Sequence, residues 1–433
     1  MSDSHRSAAP DVRMHGFSRR HTVRAALEWL DAYLHPLDAE AIPLRVAAGR
    51  VLAAPVISAV DVPGFDRATM DGYAVVADDT EGASSYNRVR LRIVGSAMPG
   101  SRFAGTVHRG ETVRIMTGAP LPAGSDAVLP AEVVEADDGN DTIAAIAPVS
   151  PAKNVGRRGE DIVERTVVLP TGRALRPQDL GVVSSIGIAE VSVVRRPRVR
   201  LVITGNELLP AGSRPRDFLI TDANGPMLAA LIERDGGIVD FPGIVRDDAD
   251  AIRGALGPSE AGPDGHGDSN DVVIVSGGSS VGVEDLAPTI VAAHGELAVH
   301  GIAMRPSSPT GLGRIGRRLV FLLPGNPVSA LCAYDFFAGR AIRALGGRAK
   351  EWPYRTVRAT LARKISSQIG RVDYARVRFE DGRVEPLSVS GASVLSSTTR
   401  ADGFVVIDDD SEGFPAGADV DVWLYEVMSV LDK

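Results

Sequence analysis

The sequence predicts a multidomain protein in which one α/β domain is combined with β-rich domains. The chain has 433 residues, which is too long for one ordinary domain. From Arg198 onward, apolar strand-like runs alternate with helical patterns, as is typical of a parallel sheet covered on both faces. On both sides of this region, short β-branched runs are separated by Gly and Pro, which favours small β domains.

The N-terminal part predicts a mixed domain that is interrupted in sequence. Residues 1–17 are polar and irregular, and we expect them to form a disordered tail. Apolar residues then recur at helical spacing from Val23 to Leu34, with Thr22 as N-cap. Residues 61–160 read as a β-rich domain inserted between residues 18–60 and 161–195.

Residues 196–347 predict the central alternating α/β domain. The run RVRLVIT is a buried strand, and a helix begins near Asn224 and ends before Gly236. DVVIVSGG and RLVFLLPGNP are further buried strands, and the second leads into a long helix from Val328 to about Leu345. Residues 348–433 return to short strands and turns, which predicts a small barrel-like β domain.

Composition excludes several classes of function. The net charge of -8 and the 5% aromatic content disfavour binding to a nucleic acid. No stretch approaches the roughly 20 apolar residues of a membrane span, so we expect a cytoplasmic protein without a membrane partner. The single cysteine, Cys332, lies in the apolar stretch ALCAYDFF and reads as a buried core thiol.

Three Gly- or Pro-containing loops predict a ligand site. TGNEL follows RVRLVIT, SGGSSVG follows DVVIV, and PGNP follows RLVFLL. Ligands of open α/β sheets bind beyond the carboxyl ends of the strands, and Gly lets the backbone approach an anion closely. No G-x-G-x-x-G motif opens a βαβ unit and no Walker A motif occurs, so an anionic ligand must be held by other means.

Four acidic residues lie in conspicuous settings, namely Asp71, Asp161, Glu207 and Asp285. Taken singly, each also fits a turn, a solvated charge or a helix cap, and Asp285 could cap a helix from Leu286. Carboxylates next to anion-binding loops fit a hard cation between them. Mg²⁺ prefers such oxygen ligands and bridges carboxylates to substrate phosphates, which points to phosphoanhydride chemistry.

Several motifs resemble those of one known family. They are PGFDRATMDGYAV from Pro63, VRIMTGAPLPAGSDAV from Val113, RRGEDI from Arg157, TGNEL from Thr204, TDANGPML from Thr221, VIVSGGSSVGVEDL from Val273 and LLPGNPVSA from Leu322. The family is that of the molybdopterin molybdenumtransferases, bacterial relatives of the E domain of gephyrin. The motifs occur in the family's order over about residues 20–430, and the MDGYAV and IMTGAP blocks are the most specific.

The resemblance implies an enzyme of molybdenum-cofactor biosynthesis. Such an enzyme takes adenylylated molybdopterin, hydrolyses its phosphoanhydride with Mg²⁺, inserts molybdate and releases AMP. It implies four domains, the α/β one of the molybdopterin-binding type, and an elongated homodimer. The active site would lie in a cleft between that domain and the β-rich and N-terminal parts of the partner subunit. The upstream molybdopterin adenylyltransferase is a candidate partner.

The resemblance also assigns roles to residues of this chain. It implies catalytic roles for Asp71, Thr117, Asp161 and Glu207, with Asp71, Asp161 and Glu207 as Mg²⁺ ligands. It implies substrate binding by Arg157, Arg158, Asp247, Gly277, Gly278, Ser279, Asp285, Arg305, Ser308, Pro324, Gly325, Asn326 and Pro327. For Asp247, a cap on a helix starting near Ala249 is the structural alternative.

One segment departs from the family pattern. Where the family commonly has two lysines in K-P-G-K-P, this chain reads MRPSSP, so Arg305 keeps a charge and Ser308 offers only a neutral hydrogen bond. Arg67, in place of a more usual asparagine, could offset the loss. Three alternatives therefore remain open: a non-catalytic molybdopterin-binding scaffold, the same chemistry with tungstate, and a general nucleotide pyrophosphatase.

Overall fold

The computed structural model describes residues 20–136, 141–257, 270–277, 286–388 and 391–425. The chain forms two compact units, of which one is Glu40–Val193 and the other contains the described residues up to Ala39 and from Val194 onward. Within these ranges, no helix combines the length and the apolar character that crossing a membrane requires.

The first helix, α1, spans Val23–Asp31 and begins where the sequence predicts. The hydroxyl oxygen of Thr22 accepts the N–H of Ala25 at 3.1 Å, which satisfies one of the open donors of the first turn. Val23, Ala26 and Leu30 are buried because they share one face of the helix. They belong to the core on one face of the large sheet described below.

The unit Glu40–Val193 is built from short strands around one larger sheet. Its elements are β1 (Ala39–Pro43), β2 (Val56–Ile57), β3 (Arg67–Ala68), β4 (Gly72–Val75), β5 (Val89–Ala97), β6 (Glu111–Ile115), β7 (Ala127–Pro130), β8 (Val134–Ala136), β9 (Thr142–Ala145), β10 (Val155–Gly156), β11 (Val167–Leu169), α2 (Pro177–Ser185) and β12 (Glu190–Val194). Six strands pair in the order β7-β4-β6-β5-β9-β8, and three two-stranded ladders join β1 to β12, β3 to β10 and β2 to β11.

This unit has separate cores. In β4, Tyr73 and Val75 lie in one cluster and Ala74 in another, because successive strand residues point to opposite faces of the six-stranded sheet. A third cluster draws its buried residues from two distant stretches, between Ala47 and Val56 and between Ile162 and Val193. The predicted boundaries at residues 61 and 160 stay a prediction.

The other unit continues with the elements of an α/β sheet. They are β13 (Arg198–Thr204), β14 (Leu208–Leu209), β15 (Ile220–Thr221), α3 (Asn224–Arg234), β16 (Ile238–Asp240), β17 (Ile244–Val245), α4 (Ala249–Leu256), β18 (Val272–Ser276), α5 (Leu286–His294), β19 (Glu296–His300), β20 (Met304–Arg305), β21 (Gly311–Ile315), β22 (Arg318–Leu323), α6 (Pro327–Ala333), a π-helical turn (Tyr334–Ala338) and α7 (Gly339–Leu345). The sheet order is β16-β13-β18-β22-β21-β19, with β17 also paired to β13. Residues of α3, α6 and α7 cover one face, and those of α4 and α5 the other.

The sheet is parallel only in part. Strands β16, β17, β13, β18 and β22 run parallel, but β21 is antiparallel to both β22 and β19. The expectation of a wholly parallel sheet is therefore wrong at this edge. Only Gly316 and Arg317 separate β21 from β22, and Gly316 adopts φ +61°. A connection this short makes a hairpin, whereas a parallel pair needs a crossover.

The long helix predicted from Val328 is present as α6, the π-helical turn and α7 in succession. Its buried side chains include Cys332, as the sequence predicts. Burial raises the pKa of the Cys332 thiol well above its usual range, because a thiolate is poorly solvated in an apolar surrounding. Cys332 is therefore a core residue and not a nucleophile.

The C-terminal part is a barrel-like β domain. Its elements are β23 (Arg355–Thr360), β24 (Ile365–Ser366), β25 (Val372–Glu380), β26 (Arg383–Ser388), α8 (Ser396–Thr399), β27 (Gly403–Ile407), β28 (Gly413–Phe414) and β29 (Asp419–Leu424). Strands pair in the order β20-β25-β27-β29-β23, and β26 also pairs with β25. A parallel bridge between Leu361 and Val384 joins the chain after β23 to β26 and so curls the sheet toward closure. The predicted fold class is thus confirmed.

Candidate functional site

On the unit Glu40–Val193, Asp71 and Thr117 form a hydrogen-bonded pair. The backbone N–H and the hydroxyl of Thr117 both donate to Oδ1 of Asp71, at 2.7 and 2.8 Å. These two donors, the backbone N–H first, hold the pKa of the Asp71 carboxyl below its usual range. Asp71 is exposed, so the structure presents an ionised carboxylate at the surface.

The sheet explains why these two residues meet. Asp71 directly precedes β4 and Thr117 lies just beyond β6, and the two strands are paired with Gly72 opposite Ile115. A side chain on Gly72 would place its Cβ 2.1 Å from the carbonyl oxygen of Leu129, so only glycine fits after Asp71. The glycine of the MDGYAV motif is therefore a steric requirement of the strand that positions Asp71.

Arg157 and Arg158 are held by two further carboxylates of the same unit. Asp66 accepts Nη1 of Arg157 at 2.7 Å and the backbone N–H of Arg158 at 2.8 Å. Nε of Arg158 donates to Asp61 at 2.6 Å. Both guanidiniums remain more than half exposed, so each still has N–H groups that can reach an anion.

The same contacts keep Asp61 and Asp66 ionised. The backbone N–H of Glu164 and then the guanidinium of Arg158 lower the pKa of Asp61. The backbone N–H of Arg158 and, more weakly, the guanidinium of Arg157 lower the pKa of Asp66. Sequence reasoning missed these two carboxylates. Both lie in the segment DVPGFD, next to the motif that contains Asp71, and this position could have marked them as candidates.

Asp161 differs from its neighbours. Its backbone N–H donates to the carbonyl of Val62 at 3.0 Å, but its exposed carboxylate accepts no hydrogen bond within the described part of the chain. A carboxylate without a protein partner is free to accept bonds from water or a bound cation.

On the other unit, Thr204 at the end of β13, Gly277 directly after β18 and Gly325 after β22 lie close together, and the rest of the predicted SGGSSVG loop lies outside the described residues. A Cβ on Gly277 would lie 2.4 Å from the carbonyl oxygen of Thr204 at the end of β13, and a Cβ on Gly325 would lie 3.6 Å from Cα of Gly277. Gly277 adopts φ +101°, a conformation that glycine tolerates best. Pro324, Gly325 and Asn326 follow β22, and Pro327 opens α6.

Asn224, the first residue of α3, links the last residue of β18 to the loop after β22. Its Nδ2 donates to Oγ of Ser276 at 2.9 Å and to the carbonyl oxygen of Gly325 at 2.8 Å. Asn224 is buried, and its Oδ1 has no hydrogen-bond partner among the described residues. Asp222 fixes this turn, because its Oδ1 accepts the N–H groups of Asn224 and Gly225 at 2.9 Å each.

Asp222 and Asn224 are site residues that sequence reasoning missed. The TDANGPML block contains both, but an Asp and an Asn before a helix are commonly only a cap. In this structure Asp222 accepts the N–H groups at the start of α3, and Asn224 ties this turn to the last residue of β18 and to the loop after β22.

Glu207 lies in the loop between β13 and β14, and Asp247 lies two residues after β17. An oxygen of Glu207 lies 2.9 Å from where a Cβ on Gly205 would be, so the carboxylate folds back over the glycine. The carboxylate of Glu207 is exposed and has no partner in the ranges described. Asp247 donates its backbone N–H to Oδ1 of Asn206 at 3.3 Å, while its own Oδ1 is buried without a partner.

The structural alternative for Asp247 is wrong. The cap of α4 is Asp248, whose Oδ1 accepts the N–H of Ala251 at 2.8 Å. The carboxylate of Asp247 is therefore not used for capping, and a buried oxygen without a partner is a costly arrangement. This contrast favours a ligand role for Asp247.

Arg305 and Ser308, from the MRPSSP segment, are packed into the protein. Nη2 of Arg305 donates to Asp373 at 3.1 Å, and Asp373 is fully buried and also accepts from Arg371 and Ser367. Nε of Arg305 and Oγ of Ser308 are buried without a described partner. The single carboxylate of Asp373 is thus shared by the guanidiniums of Arg305 and Arg371.

Three of the predicted residues, Gly278, Ser279 and Asp285, lie outside the described residues. Across the described ranges, no group of three or more His, Cys, Asp or Glu side chains is arranged to hold a metal ion. The assignment of Asp71, Asp161 and Glu207 to Mg²⁺ therefore stays a prediction.

Comparisons with known proteins cover the same chain. Residues 21–187 match the model of the MoeA N-terminal region (domains I and II), residues 200–344 that of a probable molybdopterin binding domain, and residues 358–425 that of the MoeA C-terminal region (domain IV). Molybdopterin molybdenumtransferase 2 of Mycobacterium tuberculosis is 33% identical over 391 residues, which is 88% of this chain and 94% of the relative.

Further relatives agree. Molybdopterin molybdenumtransferase of Staphylococcus aureus is 30% identical over 93% of this chain and 95% of its own length. Two solved structures of the molybdopterin biosynthesis MoeA protein of Pyrococcus horikoshii have TM-scores of 0.79 and 0.75 at 34% and 31% identity. They cover 95% and 94% of this chain and the whole of each solved chain. The chain therefore belongs to the family of the MoeA-type molybdopterin molybdenumtransferases.

Proposed function

We propose that this protein is a molybdopterin molybdenumtransferase of molybdenum-cofactor biosynthesis. It inserts molybdate into adenylylated molybdopterin, with Mg²⁺-dependent hydrolysis of the phosphoanhydride and release of AMP. The relatives named for this activity align over nearly the whole chain, which supports the same reaction here.

The observation that carries the proposal is the meeting of the ends of β18 and β22 at Asn224. The amide of Asn224 fixes the last residue of β18 and the loop after β22 against the first turn of α3. Ligands of α/β sheets bind at this edge, and backbone N–H groups of such loops can bind phosphate or molybdate oxygens. A general nucleotide pyrophosphatase would not require the family's other domains.

The charged side chains supply the remaining functions. Arg157 and Arg158, each partly exposed and fixed by a carboxylate, bind phosphate oxygens. Asp71, kept ionised by Thr117, accepts a proton from or orients a water molecule. Glu207 and Asp247, at the edge of the α/β sheet, likewise accept a proton from a water molecule or orient it. Arg157, Arg158 and Asp71 are held in position by their hydrogen bonds before substrate arrives, which lowers the cost of organising the reaction.

The residues present fit Mg²⁺. This ion is usually bound by one or two carboxylates, several waters and substrate phosphates, without a complete protein cage. Asp161 and Glu207 are exposed carboxylates without described partners, so each could hold the ion on its own unit. When bound, Mg²⁺ would neutralise charge on the phosphate oxygens.

We also propose the assembly and setting of the enzyme. It acts as a cytoplasmic homodimer with four domains, namely residues 18–60 with 161–195, 61–160, 196–347 and 348–433. It receives its pterin substrate from the molybdopterin adenylyltransferase upstream. Light scattering that shows a monomer at micromolar concentration would contradict the dimer.

The test is a turnover assay on the purified protein. The protein is incubated with adenylylated molybdopterin and Mg²⁺, with and without molybdate, while AMP release and cofactor formation are followed. We expect molybdate-dependent AMP release and active cofactor. EDTA should stop the reaction and added Mg²⁺ should restore it.

Competing outcomes are separable. Tight binding of the intact substrate without turnover would contradict the proposal and favour a scaffold on the same fold. Preferential insertion of tungstate in a competition assay would show that tungstate, and not molybdate, is the oxyanion substrate. AMP release from unrelated dinucleotides would indicate a general pyrophosphatase.

A further inference from the structure

Two adjoining cavities form a groove between α1 and the C-terminal β domain. Their volumes are about 900 and 320 Å³. Val23, Leu27, Val372 and Asp408 line both of them, so the two cavities are continuous. The smaller one extends along the helix to its last residue, Asp31. None of the residues that line this α1 groove belongs to the site described above.

The larger cavity is lined by an aromatic cluster. The ring of Trp352 meets those of Phe336 and Trp423 edge to face, at 5.0 and 5.2 Å between ring centroids. Phe336 is buried, whereas both tryptophans are half-buried and line the cavity. Half-buried indole rings offer a large, rigid apolar surface, which is the kind of surface that the apolar side chains of a binding segment contact.

The α1 groove is acidic. Seven acidic and four basic side chains of the described residues line it. Three of the basic ones are already paired with acids of the same groove, namely Arg340 and Lys350 with Asp31, and Arg358 with Asp421. The acidic excess therefore lies elsewhere in the groove.

Glu28, Asp408 and Asp409 carry this excess at the smaller cavity. Glu28 and Asp408 are exposed and Asp409 is half-buried, and none of the three carboxylates forms an ion pair with a described residue. A single arginine, Arg24, lines the same cavity among the residues that the structure describes. Uncompensated carboxylates beside an apolar surface favour a segment that is both cationic and apolar.

The segment that precedes α1 has this chemistry. Residues 1–19, which include the tail expected to be disordered, lie outside the described residues. Between Asp11 and Glu28 the sequence carries four arginines and no acidic residue. Met14 and Phe17 add apolar side chains shortly before the described part of the chain begins.

The same segment is long enough and close enough to occupy the groove. Helix α1 has nine residues and is therefore roughly 13 Å long at 1.5 Å per residue, whereas residues 12–19 span up to about 26 Å when extended. Position 19 is four residues from Val23, which lines both cavities. A short covalent link gives an effective concentration in the millimolar range, so even weak contacts favour this segment over a free one.

We propose that residues 12–19 occupy the α1 groove of their own molecule. Met14 and Phe17 contact the half-buried tryptophans, and Arg13 and Arg19 lie against the carboxylates at the smaller cavity. The segment thereby covers apolar surface that would otherwise face water, and it closes the groove to other proteins. This inference concerns a surface outside the catalytic site and stands independently of the proposed function.

A fluorescent label on the full-length protein tests this placement. Cys332, the single cysteine, is fully buried, so His15→Cys provides one reactive thiol inside the segment and Ser4→Cys provides one outside it. Each variant is labelled with bimane, whose emission is quenched when it contacts a tryptophan. We expect loss of emission at position 15 and full emission at position 4. Trp352→Phe combined with Trp423→Phe should restore the emission at position 15.

Charge variants give a second measurement that leaves the aromatic cluster intact. Asp408→Lys combined with Asp409→Lys should abolish the quenching at position 15, because repulsion replaces attraction. Glu190→Lys is the matched control, since Glu190 is exposed, forms no ion pair with a described residue and does not line the groove. The quenching should also weaken in about 1 M sodium chloride, where the Debye length falls to about 3 Å.

Three results overturn the inference. The first is equal emission of the label at positions 15 and 4. The second is quenching that persists both in the variant with two lysines in the groove and in high salt. The third is quenching that increases with protein concentration, which would place the segment in the groove of a second copy.

Discussion

Oδ1 of Asp71 accepts two hydrogen bonds from one residue, the backbone N–H of Thr117 at 2.7 Å and its hydroxyl at 2.8 Å. Both bonds favour the ionised carboxylate and lower its pKa. Replacement of Thr117 by Val removes the hydroxyl bond and keeps the backbone one. We expect the pKa of Asp71 to rise part of the way toward its ordinary value, as measured by an NMR titration of its carboxyl carbon.

The same variant predicts a shift in activity. If turnover needs ionised Asp71, the acid limb of the kcat/KM profile moves to higher pH in Thr117→Val and stays in place in Thr117→Ser. The lowered pKa of Asp71 also predicts how stability depends on pH. A lowered folded pKa adds stability above the unfolded pKa of about 3.9, and this stability is lost as pH falls through the folded pKa. Superimposable profiles for the Val variant and the wild type would contradict the role of Asp71.

The adjacent residues Asp247 and Asp248 predict opposite effects. Asp248→Ala removes the cap on α4 and should cost about 1 kcal/mol of stability while turnover is retained. Asp247→Ala removes a carboxylate with a buried oxygen that lacks a partner, which is costly to the folded protein, so it should keep or raise the thermal unfolding midpoint and lower kcat. Melting curves and the AMP-release assay give both readouts.

Each of these two variants is the control for the other. Retained turnover in Asp247→Ala, or lost turnover in Asp248→Ala at a temperature where it is folded, would contradict the assignment.

Asn224→Ala should impair both stability and turnover. The change leaves Ser276 and the carbonyl of Gly325 without their amide donor, which costs roughly 1–3 kcal/mol. Because the end of β18 and the loop after β22 lose their common anchor, we expect kcat to fall even at temperatures where the variant is folded. Thermal unfolding and turnover measured on the same sample check this.

Asn87→Ala is the matched control for that variant. Nδ2 of Asn87 also donates to a backbone carbonyl, that of Gly82 at 2.8 Å, but at an exposed position. It should keep wild-type turnover. Equal kcat in the Asn224 variant and the wild type would show that the anchor does not position the site.

Asp335 predicts a pH dependence of stability. Burial raises its pKa to about 6, although Arg234 and Tyr354 both donate to its carboxylate. The folded protein therefore retains this proton at pH values where the unfolded chain, with a pKa of about 3.9, has released it. The contribution of Asp335 to stability falls as pH rises from about 4 to about 6.

Asp335→Asn removes this titration. The thermal unfolding midpoint of the wild type should exceed that of the variant by most at pH 4, and the gap should narrow by pH 6. A gap that is constant or widens over this interval would show that Asp335 is ionised throughout. The comparison cancels the titration of groups that do not interact with Asp335, because both proteins share them.

The strand-end loops could be predicted from the sequence, whereas their anchor could not. Apolar runs such as DVVIV and RLVFLL mark buried strands, and parallel strands present their carboxyl ends at one edge. Asn224, however, reaches partners 52 and 101 residues away, and no local pattern specifies such pairs. The ion pair of Arg305 with Asp373, 68 residues away, was hidden for the same reason.

Local ambiguity accounts for the other differences. Asp247 and Asp248 both fit a cap before Ala249, and one residue of register decides between them. The apolar run RLVFLL, which forms β22, shows that a strand is buried but not in which direction its neighbour runs. Only the two-residue connection between β21 and β22 makes these two strands antiparallel. Asp71 and Thr117 were predicted by resemblance, and the pairing of β4 with β6 supplies the physical reason.

The core that combines residues from Ala47–Val56 with residues from Ile162–Val193 has a consequence for synthesis on the ribosome. A nascent chain leaves the ribosome with its N-terminus first. All six strands of the larger sheet are therefore synthesised before Val183 and Val193 can contact Leu52. The earlier stretch must therefore wait, with its apolar side chains uncovered, while roughly a hundred later residues fold. For this stretch, the interval before closure is the period of greatest exposure to chaperones and proteases.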